Sequence, residues 1–328
     1  MFYFFYKKMC FYKKSFTLIE ISIVLLVLSL LTTAVISGKN MIGNAKALRI
    51  VNEISNYRQA INHFYQTYGA LPGDYNNAQY VLAPSGYTKM SSSDISKLEK
   101  SIIDTIPLNG NSNGEVEGCF TGSSYLQYSE VYGLWSHLSA SHLIDKVYSN
   151  TCYDISKGTR DKCSKAGYNL PIISDGYNSN SAFLFYSSTM TNQDYFLYGV
   201  IIDQIKKQRQ AKSYGVLLLM DPTRKYPYKE ASEIADYVPF GAGGGVTSEI
   251  MMKIDDKMDD GRPFTGLVFG VNGGNRDNNK DSDVKNGQCN TYTMANNDYN
   301  NVEYDKIIYT GKSNKSCVGI VLFNEFNS

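Results

Sequence analysis

From Phe16 to Ile36 the chain runs through 21 residues of which only Glu20 is charged. A stretch of that length crosses the hydrocarbon core of a bilayer as a helix. Beyond it the apolar positions thin out but stay periodic. Ile42, Ala45, Leu48, Val51, Ile54, Ile61, Phe64, Tyr65 and Tyr68 recur at three- and four-residue steps, the signature of one apolar helix face. Gly69 and Pro72 then supply stop signals, and no proline precedes Pro72. The pattern predicts one helix over 16–68, about 80 Å long at 1.5 Å per residue. Its first part, 16–36, is apolar all round and suits lipid or a bundle of helices. Its second part, 37–68, is apolar on one side and suits packing on a folded head. Gly38 and Gly43 loosen the join, each by about 1 kcal/mol against alanine.

From residue 69 onward the periodicity gives way to turns and short runs. The first half of this head reads as helix and loop, with Leu134, Trp135, Leu138, Leu143 and Ile144 forming a core-like stripe. The second half holds strand candidates: "SAFLFYSS", "YFLYGVII", "YGVLLLM", "GLVFGV", "KIIYTG" and "CVGIVLF". They are rich in Val, Ile, Tyr and Phe and are bounded by Gly, Asn and Asp. An antiparallel sheet packed on the second half of the long helix follows.

Composition changes this picture in two ways. Hydrophobic residues make up 43% and charged residues 19%, which predicts a folded core rather than disorder. The net charge is +1, but Lys7, Lys8, Lys13 and Lys14 precede the apolar run with no acid among them, leaving −3 for the rest. A mildly acidic body argues against nucleic-acid binding. A basic tip before an apolar run predicts a cytoplasmic N-terminus with the bulk of the chain across the membrane.

Glu20 is the anomaly. A carboxylate in a membrane helix costs about 2.5–3.5 kcal/mol at the bilayer centre and less toward the interface. A cut just before Phe16 would supply a reason, because the new α-amino group, cationic below about pH 8, lies one turn from Glu20. A neighbouring molecule's terminus could then pair with the carboxylate and fix the register between subunits. Lys13-Lys14-Ser15, then Phe16-Thr17-Leu18-Ile19-Glu20 and the apolar segment, resemble the type IV pilin and type II secretion pseudopilin family. Ser15 stands where that family usually carries glycine, and Met9 offers a second start with a shorter leader.

The resemblance implies a leader over 1–15, cleavage between Ser15 and Phe16 by a prepilin peptidase, and N-methylation of Phe16. It further implies a filament assembled through Phe16 and Glu20. The fold implied is α+β and pilin-like, a long N-terminal helical stem (16–68) packed on the antiparallel sheet of an extracytoplasmic head (69–328) with an inserted helix and loop region. "YGALPGDYNNA", "NGNSNGEVEG" with Glu130, and "IDDKMDDGRPFTG" resemble patches of large-headed members. The implied partners are other pilin or pseudopilin subunits and an inner-membrane assembly platform. The implied location is the inner membrane, single-pass, with the head periplasmic, and later the filament in the periplasm or at the cell surface. A head of this size suggests a minor subunit. The rival expectation is a membrane-anchored extracytoplasmic binding protein or adhesin that forms no filament.

Other chemistry is thinner. Cys10 precedes the apolar run, and five cysteines follow it. Sequence proximity favours Cys152 with Cys163 and Cys289 with Cys317, leaving Cys119 over. Asp255, Asp256, Asp259 and Asp260 end a predicted helix that begins near Thr247 and stops at Gly261, where acids oppose the helix dipole. Salt links to Lys253, Lys257, Arg262 or a more distant base are the expected compensation, with calcium as the second reading. Asp277, Asn279, Asp281 and Asp283 alternate like the first ligands of a calcium loop but lack its sixth-position glycine and closing glutamate. A solvated loop is the preferred reading there, and no other cofactor is expected. "FGAGGGV" reads as a flexible loop, since it matches neither phosphate-binding glycine motif. His63, His137 and His142 lack helical metal-pair spacing and read as structural or exposed. No nucleophile has a matching base in a known motif, so an enzyme is not expected.

Overall fold

The computed structural model describes residues 17–83, 105–116, 130–150, 164–174, 179–189, 213–222, 243–272, 289, 291, 302–304 and 316–323. The chain divides into two compact units, Met1–Asn44 and Ala45–Ser328. One helix, α1 (Leu18–Tyr68), belongs to both. Its first part is long and apolar enough to cross a membrane, and none of that window is buried. Leu18, Leu25, Leu30 and Val35 all stand exposed.

In the second unit α1 buries Ala47, Ile50, Ile54, Ile61 and Phe64. With Tyr57 and Tyr68 these positions step alternately by three and four, so they hold one line along the helix. This corrects the expected face at its start. Ile42 and Leu48 are 60% and 50% exposed, and Ala45 is exposed too. The reason is angular: at about 100° per residue, three-residue steps drift, and nine residues carry Ile42 and Val51 to opposite sides. Gly69 closes the helix with φ +70, and its N–H donates to the Tyr65 carbonyl.

The head adds α2 (Ala78–Leu82), α3 (Glu130–Ala140) and α4 (Ser248–Met258) to one antiparallel sheet. Its strands are β1 (Ala182–Thr189), β2 (Ser213–Asp221), β3 (Gly243–Gly244), β4 (Val246–Thr247), β5 (Val268–Asn272) and β6 (Ser316–Phe323). β2 pairs with β1 and β6, and β6 also pairs with β5. Four expected strands are therefore present, while "YFLYGVII" and "KIIYTG" lie outside the described residues. The described part of the glycine run is not a loop, which corrects that expectation. β3 pairs with the end of β2, β4 with the start of β6, and Gly245 between them passes where a Cβ would meet the Met220 nitrogen at 2.5 Å.

Paired residues share a face, so Phe183, Leu219, Gly319 and Gly270 form one row across the sheet, and Phe185, Leu217, Val321 and Val268 the next. This face receives α1. Tyr57 meets Phe183 edge-on at 5.2 Å and Trp135 of α3 at 5.0 Å. The Arg58 guanidinium lies 4.8 Å over the Phe323 ring. The glycine pair ending the first row makes a hollow: Met251 of α4 fills it over Gly319, and the Tyr304 ring fills it over Gly270. The opposite face, with Leu184, Val216, Leu218, Ile320 and Phe269, is buried as well. Burial on both faces explains why β2 and β6 read as unbroken apolar runs instead of alternating.

Both outer edges of the sheet are engaged. β1 carries bridges to Val116 and Ile172. On β5, Gly270 N–H donates to the Pro263 carbonyl at 3.0 Å and Val268 N–H to Asp259 Oδ2 at 3.1 Å. Covering edge donors in this way removes a template for strand addition.

Candidate functional site

Glu20 stands in the first turn of α1 and is bound to the residue that opens the helix. Thr17 N–H donates to Glu20 Oε2 at 2.9 Å, and the Thr17 hydroxyl donates to the same oxygen at 2.8 Å. In return Glu20 N–H points to Thr17 Oγ1 at 3.4 Å. This reciprocal arrangement is a capping box, in which two otherwise orphaned N–H groups of the first turn find acceptors. Its sequence signal, Thr-x-x-Glu at the head of an apolar run, is present in "TLIE". Both Thr17 donors converge on Oε2. A carboxylate offers about four lone-pair sites, so Oε1 keeps capacity for a further donor. Ser15 and Phe16 lie outside the described residues.

The head contains two polar clamps. In the first, fully buried His137 of α3 accepts from Gly73 N–H at its Nδ1 (2.9 Å), so its Nε2–H donates to the Leu108 carbonyl at 2.7 Å. Burial pushes its pKa down to about 4, which keeps the ring neutral and fixes this tautomer. Asp74 accepts from Asn113 and Gly114 N–H at 3.0 and 2.9 Å, and Glu130 accepts from Asn111 N–H at 2.9 Å. Together they bind the 109–116 loop to the turn that follows α1. Gly110 is required there because a Cβ would enter the backbone of Gly73 and Asp74. His63 and His142 are exposed, as the structural-or-exposed reading allows.

The second clamp is the acidic turn after α4. Thr247 caps α4, its hydroxyl oxygen accepting from Ile250 N–H at 3.3 Å, and Gly261 follows the helix with φ +74. Asp255 is fully buried, accepting from the Tyr304 hydroxyl at 2.7 Å and from Gly261 N–H at 3.2 Å. Asp259 accepts from Leu267 and Val268 N–H, and Asp260 from Arg262 N–H and the Thr265 hydroxyl. The expected salt links are thus corrected: the described partners are N–H and O–H donors of the turn itself and the Tyr304 hydroxyl. Lys253 is held by Glu249 at 2.9 Å. Oxygens of Asp255, Asp259 and Asp260 lie within 4.8 Å of one another. Each carboxylate already accepts from these donors, which makes the turn a folding device. Burial, the leading cause, pushes the Asp255 carboxyl up to about 7, with the neighbouring Asp260 and Asp259 charges acting the same way and the two donors opposing it.

Cys289 and Cys317 form a disulfide with Cα atoms 4.9 Å apart. It fixes residue 289 to the start of β6, and the Cys289 carbonyl accepts from the Ser248 hydroxyl at 2.8 Å. Cys152 and Cys163 lie outside the described residues, as do Asp277, Asn279, Asp281 and Asp283. No protein-family model, curated protein or solved structure matches this chain.

Proposed function

We propose that this chain is the precursor of a filament subunit of the type IV pilin and type II secretion pseudopilin kind, a minor one to judge by its head. In this reading the fold is pilin-like. A prepilin peptidase cuts between Ser15 and Phe16 and methylates the new amine. The stem holds the subunit in the inner membrane, with the head in the periplasm, until the assembly platform draws it into the stem bundle of a growing filament.

One observation carries the proposal. Glu20 is the sole charge from Phe16 to Ile36, and it sits in the first turn of a helix whose apolar surface is uncovered. Leaving lipid for a bundle of like helices keeps that surface dry, and the carboxylate then decides the register. The Phe16 amine of a neighbour is the matching cation, and Oε1 of Glu20 has the capacity to accept from it. The engaged edges of the head's sheet support the same route, since strand addition finds the described β1 and β5 edges occupied.

The capping box favours a second reading, an anchored binding protein, because it gives Glu20 a partner inside its own chain. The two part at the mature N-terminus. Peptide mass from membranes should show a chain beginning at methylated Phe16. A chain that keeps its leader residues would sink the filament reading and leave the anchored protein.

A further inference from the structure

We propose that the buried carboxyl of Asp255 is a proton-sensitive latch that holds the 259–268 turn over the outer edge of β5, tighter in acid and looser toward neutral pH. The proposal does not depend on the filament reading.

The geometry joins three pieces of chain. Asp255 lies on the last turn of α4, fully buried, and receives the hydroxyl of Tyr304. Tyr304 can reach it only because Gly270 of β5 leaves room for the ring. Gly261 N–H binds the other oxygen of Asp255, and from there the turn proceeds to Pro263, whose carbonyl takes the outward N–H of Gly270. Asp259 takes the outward N–H of Val268. The residues that cover the edge are therefore tied to the same buried carboxyl that Tyr304 grips.

The groups facing Asp255 are Tyr304 from the 302–304 segment, and Asp259 and Asp260 from the turn. β5 and β6 present Gly270 and Gly319 on this face, and no cationic side chain touches Asp255 among the described residues. Ionising it places a third negative charge beside two others, at a helix end that already carries partial negative charge. The closed latch therefore holds a proton that the open, solvated carboxyl would release. Its ordinary pKa is near 4 and its closed value is about 7. Between those limits the closed state binds more protons than the open one, so acid favours closure and rising pH favours opening. Above about 7 both states are ionised and the dependence ends.

Hydrogen exchange of the full chain in detergent, followed on peptides covering 266–272 and corrected for intrinsic rates, tests this directly. Protection of the β5 edge should fall at least tenfold between pH 5 and pH 7. In Asp255→Asn it should not change with pH. In Tyr304→Phe, which loses a donor to the ionised form, the midpoint should move upward. A pH-independent edge in the wild-type chain overturns the latch, as does a wild-type profile in Asp255→Asn. If the Asn variant does not fold, the Phe variant decides: an upward midpoint supports the latch and an unmoved one overturns it.

Discussion

The two parts of α1 are one secondary structure answering two different environments. Residues 18–44 carry apolar side chains on every side and bury none of the membrane-length window. Residues 45–68 bury a single line, and most of their remaining surface is polar, Ala45 and Leu48 excepted. Helix propensity does not distinguish them; the width of the apolar surface does. A narrow stripe specifies a partner within the chain, here Trp135, Phe183 and the sheet. An all-round surface specifies a partner outside it, lipid or other helices. The lone acid in each part follows the same division: among the described residues Glu53 is bound by Ser174 of the head, whereas Glu20 is bound within its own turn.

Substitutions in the two parts should therefore fail differently. Glu20→Ala should leave the head's melting temperature unchanged and, if the chain assembles as proposed, abolish incorporation into filaments. Removing one partner of a desolvated pair costs about 3–5 kcal/mol, more than a hundredfold in subunit affinity. Filament yield from sheared cells, set against membrane levels of the subunit, measures it, and normal yield would break the comparison at its first term. Phe64→Ala should do the reverse. Phe64 is fully buried against Tyr68, Tyr75 and His137, so its loss should cost the head about 3–5 kcal/mol in denaturant unfolding.

The change from an all-round to a one-sided apolar surface was legible because it is written in local periodicity, although the expected join after Ile36 precedes the unit boundary after Asn44. So were the end of α1 at Gly69, the four long described strands and the Cys289–Cys317 pairing. What escaped depends on distance along the chain. His137 is 64 residues from Gly73 and 29 from Leu108, and nothing local marks it as a clamp. Asp255 and Tyr304 are 49 residues apart, so the acids after α4 seemed to need cations when their own turn and a remote tyrosine supply the donors. The Gly243–Val246 stretch reads as a loop because glycine has no β preference, yet only glycine fits between β2 and β6 at 245. The capping box, by contrast, is fully local: Thr17 and Glu20 stand three residues apart at the head of the apolar run.

Two further tests sharpen the head's side of the comparison. Reducing Cys289–Cys317, which closes a separation of 28 residues, should lower stability by roughly 3–4 kcal/mol, with membrane association unchanged. A smaller, pH-dependent effect belongs to His137. Its pKa is about 4 in the fold and about 6.5 when unfolded, so between those values the unfolded chain binds the proton and the folded chain does not. Stability from this group is complete above 6.5 and falls by about 3 kcal/mol as the pH drops toward 4. Asp255 acts in the opposite direction over much of the same range. Denaturant midpoints at pH 7.5 and 4.5 should accordingly separate more in Asp255→Asn than in the wild-type chain.

The smallest effect returns to the uncovered part of α1. Thr17→Ala removes the hydroxyl that both gives to and takes from Glu20, and leaves the backbone donor in place. Losing an N-cap hydroxyl costs about 1 kcal/mol of helix stability. In the head nothing should change, since the described partner of Thr17 is Glu20 of the same turn. In the membrane the freed carboxylate has one donor fewer, so it should bind an external cation more readily. If filaments form through Glu20, Thr17→Ala should assemble at least as fast as the wild-type chain while its first turn frays in hydrogen exchange. If Glu20 serves only to start the helix, the same substitution should fray the turn and alter nothing else, and Glu20→Ala should reproduce it.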